Sequence, residues 1–276
     1  MKNKVIFILL DGLSYDAAYT RMGYMLHIIE RKAGSFFKVK AELPTLSRPL
    51  YEVLMTGTPC SENGVTNNMV VRNSRKQSIF SIARENGLST AAAAYYWMSE
   101  LYNRAPFQHL DDRDYSNEEL NIQHGKFYFE DTYPDSHLFL DGHVLMMRHN
   151  PHFLLVHTMG IDNAGHLYGG CSKEYYSKAG EADCILSTFL PVWKEAGYTV
   201  VVTSDHGMNE YGLHGGGRDI ERLLPLWIIG GSTAYTHPQE CVPQLELAPL
   251  LCELLGVSPS PEMVRHRFSM KYMERI

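Results

Sequence analysis

The 276 residues are 45% hydrophobic, 20% charged and 11% aromatic, the balance of an ordinary globular chain that can bury one sizeable core. A formal net charge of −6 argues against a nucleic-acid polymer as the main partner, while leaving room for a local pocket that takes a small phosphate. The five cysteines (Cys60, Cys171, Cys184, Cys241 and Cys252) are scattered and never in CxxC spacing, which argues against a disulfide framework or a thiolate zinc site and suits reduced cytoplasmic thiols.

In chain order, the first element is an unpatterned apolar run, Val5–Leu10, stopped by Asp11. It reads as a buried strand and is too short for a signal-peptide core. No run approaches the length of a membrane span, so a cytoplasmic protein without a span is expected. The segment ELPTLSRPLYEVLMTG then places Ser47 just before a short helical pattern, about Leu50–Met55, that stops at Gly57. A second helix is expected at about Gln77–Glu85 and a weaker strand at Thr90–Tyr96. Residues from about 100 to 150 read as aromatic-rich and irregular, an insertion or lid within a single domain of residues 1–276. Phe153–Thr158 reads as a strand, Lys173–Ala196 as a long helix and Tyr198–Thr203 as a strand. A weaker strand, Leu224–Ile229, and a helix at Gln244–Leu255 complete the series. Unpatterned strands separated by helices predict an α/β fold, a central and mostly parallel sheet with helices on both faces.

The acids fall at strand ends. Asp11 ends the first strand, Asp162 follows Phe153–Thr158, and Asp205 follows Tyr198–Thr203. In open α/β sheets ligands bind at the carboxyl ends of strands, so three carboxylates converge on one edge and repel one another unless cations sit among them. His166 follows Asp162 by four residues in DNAGH, His206 adjoins Asp205 in SDHGM, and His214 begins HGGG. Mixed Asp and His donors suit zinc best, with manganese or iron as alternatives, and six such residues suffice for two divalent ions. Ser47 has two readings, an N-cap or a nucleophile at a helix N-terminus where a phosphoryl group is favoured. Beside the metal set it is the leading nucleophile.

Five segments, LLDGLSYD, PTLSRPLYEVLMTGTPCSENGVTNN, DNAGHLYGG, TSDHGM and LHGGG, occur in the order of the alkaline phosphatase superfamily. They look most like its type I phosphodiesterase/nucleotide pyrophosphatase branch, over roughly residues 4–230, and AAAAYYWMSEL, with Trp97, resembles the stretch before that family's substrate pocket. The resemblance implies that Asp11, Ser47, Asp205 and His206 serve one metal and that Asp162, His166 and His214 serve the other. It assigns Asn68, rather than Asn67, to a phosphate oxygen, and Gly57 and Gly64 to the turns that bring this asparagine back. The phosphodiesterase branch usually has threonine where this chain has Ser47, whereas alkaline phosphatases use serine. Ser47-Arg48-Pro49 also begins the sulfatase modification motif, but Tyr51 stands where that motif needs arginine, so conversion to formylglycine is not expected.

The implied reaction is attack of Ser47 on phosphorus in a small phosphate ester, through a covalent phosphoserine and two metals. A phosphodiesterase or nucleotide pyrophosphatase is the first expectation. A phosphomonoesterase, a phosphonate hydrolase or a phosphoethanolamine-type transferase is the alternative, the last because EYGLHGGGRD is similar to ethanolamine-phosphate transferases. A metal-binding pseudoenzyme is the reading from a different class. A monoesterase needs a further cation near the free oxygens, for which Arg48 and Arg72 are the candidates. Aromatics including Tyr95, Tyr96 and Phe129 either wall a pocket or form a local core.

Overall fold

The structure, a computed structural model, describes residues 3–230 and 233–272. Its strands are β1 (Val5–Leu10), β2 (Gly34–Lys40), β3 (Thr90–Tyr95), β4 (Asp114–Ser116), β5 (His124–Tyr128), β6 (Phe153–Thr158), β7 (Thr199–Thr203), β8 (Leu223–Ile229), β9 (Thr233–Thr236), β10 (Cys241–Pro243) and β11 (Ser269–Tyr272). Nine of them form one sheet in the order β10-β2-β8-β7-β1-β6-β3-β5-β4, and β11 pairs separately with β9. The central strand β1 runs parallel to both β6 and β7, with Leu10 opposite Thr158 and Leu9 opposite Thr203. Only β8 and β4 run against their neighbours, so the sheet is mixed and mostly parallel, as expected. This register brings the ends of β1, β6 and β7 level at one edge. β2 points the same way as β7, so the chain leaves it at that edge too.

The central strands are continuous apolar runs because both faces of the sheet are covered. Val5, Phe7 and Leu9 pack with the helices Ser47–Thr56, Ile79–Glu85 and Leu247–Leu255. Ile6, Ile8 and Leu10 pack the other way, with the helices Tyr15–Arg21, Asp135–His149 and Lys173–Glu195. Every residue of Ser47–Thr56 is buried, and Gly57 ends that helix in the left-handed region at φ 61°, which costs a residue without Cβ nothing.

Two regions differ from the sequence reading. Residues 100–150 are ordered secondary structure: β4 and β5 extend the sheet, and Asp135–His149 packs across β3 and β6. Their pattern is hard to read because β5 carries His124 and Lys126, and because the helix places Gly142 and His143 among its apolar positions. β2 and the helices Tyr15–Arg21 and Gly23–Glu30 also lack a clear period, β2 because Ser35, Lys38 and Lys40 interrupt it. No helix among the described residues is long and apolar enough to cross a membrane, and all five cysteines are free.

Candidate active site

The loops after β1 and β7 are tied to each other by side chains. The backbone N–H of Gly12 donates to Asp205 Oδ1 at 3.2 Å, and that of Leu13 donates to Ser204 Oγ at 2.9 Å. Gly12, at φ +73°, approaches so closely that a Cβ would lie 2.7 Å from the Cα of Asp162, so glycine at this position lets the first and second acids meet. Asp162 and His166 stand four apart on the helix Gly160–Tyr168 and therefore share a face. That helix begins where Gly160 N–H donates to Asp135 Oδ1 at 3.2 Å.

Three imidazoles are oriented alike. The Nδ1 of His166 donates to Gly212 O at 2.8 Å, that of His214 to Thr45 O at 2.8 Å, and that of His206 to Gly207 O at 3.0 Å. Each ring therefore offers Nε2 to the site, the arrangement that metal-binding histidines adopt. His206 Nε2 lies 3.2 Å from Asp205 Oδ2 and 3.5 Å from Asp11 Oδ1. His166 Nε2 lies 3.3 Å from Asp162 Oδ2 and 3.1 Å from His214 Nε2, which is 3.7 Å from Asp162 Oδ1.

The electrostatics call for cations. Burial, then the charges of Asp205 and Asp162, holds the Asp11 carboxyl well above the usual range. Burial, then Asp162, pushes Asp205 up to about 7. Burial works the same way on Asp162, but its hydrogen bond with His166 and the neighbouring imidazoles outweigh it and leave this carboxyl lowered. The hydrogen bond to Asp162 lifts His166 to about 9, whereas burial, then His206, lowers His214 to about 4. Asp11 Oδ1, Asp162 Oδ1 and Asp205 Oδ2 are buried without a hydrogen-bond partner. Orphaned carboxylate oxygens beside bare ring nitrogens fit divalent cations. Two groups bring their ligand atoms within 4.8 Å of one another: Asp11, Asp205 and His206, and Asp162, His206 and His214. His206 belongs to both.

Ser47 is the first residue of its helix. Leu46 holds the cap position without a side-chain bond, and Ser47 Oγ instead lies 3.0 Å from His206 Nε2. The capping reading of this serine is thereby removed. Asn68 Oδ1 accepts from the backbone N–H of Arg48 at 3.1 Å, which leaves the Asn68 amide NH2 to donate. Asn67 spends its own oxygen on Met69 N–H and is exposed. Arg48 is buried, ion-paired with Glu100 at 2.7 Å, and stacked 4.5 Å over the ring of Trp97. Arg72 donates to the backbone carbonyls of Asn63 and Asn73. Neither arginine is a free anchor for substrate. Tyr95, Tyr102, Phe107, Phe127 and Tyr128 are buried core, while Tyr96 and Trp97 are half-buried and Phe129 is exposed.

The sequence reading missed two residues that touch Asp11. His157 Nε2 lies 3.0 Å from Asp11 Oδ2, and the Tyr51 hydroxyl donates to the same oxygen. The available signal for His157 was a lone polar ring in the apolar strand FLLVHT. For Tyr51 it was the four-residue spacing from Ser47.

Residues 5–228 match the family described as type I phosphodiesterase / nucleotide pyrophosphatase. GPI ethanolamine phosphate transferase 2 of Schizosaccharomyces pombe is 26% identical over 94% of this chain and 37% of its own length. The catalytic subunit of human GPI ethanolamine phosphate transferase 2 is likewise 26% identical, over 94% of this chain and 27% of its own length. The chain thus spans roughly a third of these relatives or less. Among solved structures, murine ectonucleotide pyrophosphatase / phosphodiesterase 5 is similar with a TM-score of 0.74 and 14% identity, covering 94% of this chain and 96% of that one. This last likeness speaks for the fold.

Proposed function

The chain belongs to the type I phosphodiesterase/nucleotide pyrophosphatase family, and on that premise we propose that it cleaves or transfers a phosphodiester-linked group through Ser47. One observation carries this reading: Ser47 Oγ faces a cluster in which three buried carboxylates have orphaned oxygens and three imidazoles, from buried His206 to exposed His166, present Nε2. Asp11, Asp205 and His206 would hold one divalent ion, and Asp162, His166 and His214 the other, zinc first with manganese or iron as alternatives. Ions bound there supply Lewis-acid stabilisation of the serine alkoxide and of the leaving oxygen.

The chain's own residues do the rest. Ser47 Oγ forms its bond to phosphorus as the bond to one ester oxygen breaks; that alcohol leaves with the serine's proton, and the other ester stays on phosphorus as a substituted phosphoserine. A second acceptor, water in hydrolysis or an alcohol in transfer, then takes the phosphoryl group with its remaining ester, and the acceptor's proton restores the serine hydroxyl. The Asn68 amide donates to an equatorial oxygen, and the N-terminus of the helix Ser47–Thr56 favours the anion.

A diester fits better than a monoester. The second negative charge of a monoester needs another cation, and both nearby arginines are already engaged. A second reading, transfer of an aminoalkyl phosphate, has its own support. The Asp131 carboxyl lies close enough to help raise both Tyr95 and His166, so an acidic group stands near the site and near the half-buried rings of Tyr96 and Trp97, which could face an ammonium. The names of the relatives point the same way.

The test pairs nitrophenyl phosphate with bis(nitrophenyl) phosphate, each with and without zinc. Zinc-dependent diester turnover should exceed monoester turnover by at least about tenfold, a difference of roughly 1.4 kcal/mol. Equal rates overturn the diester reading, and no turnover of either leaves a binding protein. An aminoethyl diester offered with an acceptor alcohol then separates transfer from hydrolysis by where the phosphoryl group ends.

A further inference from the structure

Asp11 is held from behind. Its Oδ2 takes two donors, the Tyr51 hydroxyl and His157 Nε2, the latter at 3.0 Å. Its Oδ1 has no hydrogen-bond partner and lies 3.5 Å from His206 Nε2, on the side of Ser47. Asp11, Tyr51 and His157 are all fully buried.

The two donors arrive from different elements. Tyr51 lies one turn after Ser47 on the same helix, and His157 lies on β6 opposite Leu9 of β1. Their rings meet edge to face, 4.7 Å between centroids, so each limits the movement of the other. His157 Nδ1 is buried without a partner, so the single N–H of the neutral ring sits on Nε2, against the carboxylate. A buried ring with one unsatisfied nitrogen costs stability that an apolar side chain at this position would not. Packing alone therefore does not account for a histidine here.

Resting on the two-cation reading above, we propose that Tyr51 and His157 are positioning residues that turn Asp11 to offer one oxygen, Oδ1, to the cation at Asp205 and His206. With both donors on Oδ2, the carboxylate can neither rotate nor close on the ion with both oxygens. They also share part of its negative charge before the ion arrives, in a site where three carboxylates crowd together. Outer partners of this kind fix a ligand's direction, and their loss typically weakens metal binding about 10–100-fold.

The experiment is a calorimetric titration of chelator-stripped protein with zinc chloride, on the wild type and on Tyr51→Phe, His157→Ala and His157→Gln. The wild type should show two binding events. Tyr51→Phe and His157→Ala should each weaken one event roughly 10–100-fold and leave the other unchanged. His157→Gln, whose amide can donate from near the place of Nε2, should restore most of the loss. Repeating the titration in a His166→Ala background, which removes the other site, should show that the surviving event is the weakened one. A packing defect would not single out one event. Wild-type zinc binding at both events in Tyr51→Phe and His157→Ala overturns the proposal, and so does equal weakening of both events. Tyr51→Phe removes a single oxygen and decides the matter even where His157→Ala fails to fold. A wild type that takes up no zinc defeats the two-cation reading itself, a result distinct from variants that bind normally.

Discussion

The hydroxyl of Ser47 caps nothing and faces His206 at 3.0 Å, so a capping loss and a catalytic loss separate cleanly at this residue. Ser47→Ala should keep its metals and its melting temperature, because the roughly 0.5–2 kcal/mol of a lost cap does not apply. Turnover should fall by several orders of magnitude, since only an untethered water remains to attack. Ser47→Thr should retain substantial activity, because it keeps a hydroxyl at the same place. Steady-state kinetics alongside thermal melting checks both variants. A fully active Ser47→Ala protein would remove the phosphoserine.

At the scale of the element, the helix Gly160–Tyr168 carries Asp162 and His166 and is anchored at its start by Asp135. Burial lifts the Asp135 carboxyl from its ordinary 3.8 to about 6, with the Gly160 N–H only partly opposing it. A raised carboxyl favours the folded state most when protonated, so its contribution is present below the ordinary value and is lost as pH rises through about 6. Asp135→Asn keeps an acceptor for Gly160 but does not titrate. The variant should match the wild type below the ordinary carboxyl value and gain on it as pH rises through about 6, above which the difference levels off at on the order of 3 kcal/mol. Urea unfolding at a series of pH values measures this. A pH-independent difference would show that the Asp135 charge is not strained in the fold.

The whole molecule places its acids on one sheet edge because β1 is parallel to both β6 and β7. Three carboxylates so gathered repel one another, and cations that bind only the folded chain stabilise it by mass action. Chelation should therefore lower the melting temperature as well as abolish turnover. Adding back an ion at a hundredfold excess over its dissociation constant should return about 2.7 kcal/mol. His166→Ala or His214→Ala should retain about one ion per chain, since either loss leaves too few ligands for the second site. Metal analysis showing double occupancy in both variants would overturn that division of ligands. His206 lies within reach of both groups, so its replacement should weaken both sites.

Much of this protein was legible in the chain alone. β1 ends where its apolar run ends, at Asp11, and the acids and histidines after β1, β6 and β7 are the ones the fold brings together. That legibility has a physical cause: a strand buried on both faces is almost wholly apolar, so a carboxylate marks the point where it has ended. Other features depended on tertiary contacts. The region from 100 to 150 gains its order by packing on β3 and β6, and its own pattern is interrupted by histidine, lysine and glycine. The availability of Arg48 turned on Glu100 and Trp97, and the hold on Asp11 turned on Tyr51 and His157, which are 40 and 146 residues distant in sequence. Local sequence expresses burial and period, which each residue carries within its own element. Which buried polar groups satisfy one another depends on elements meeting across the sheet, and that only the tertiary structure decided.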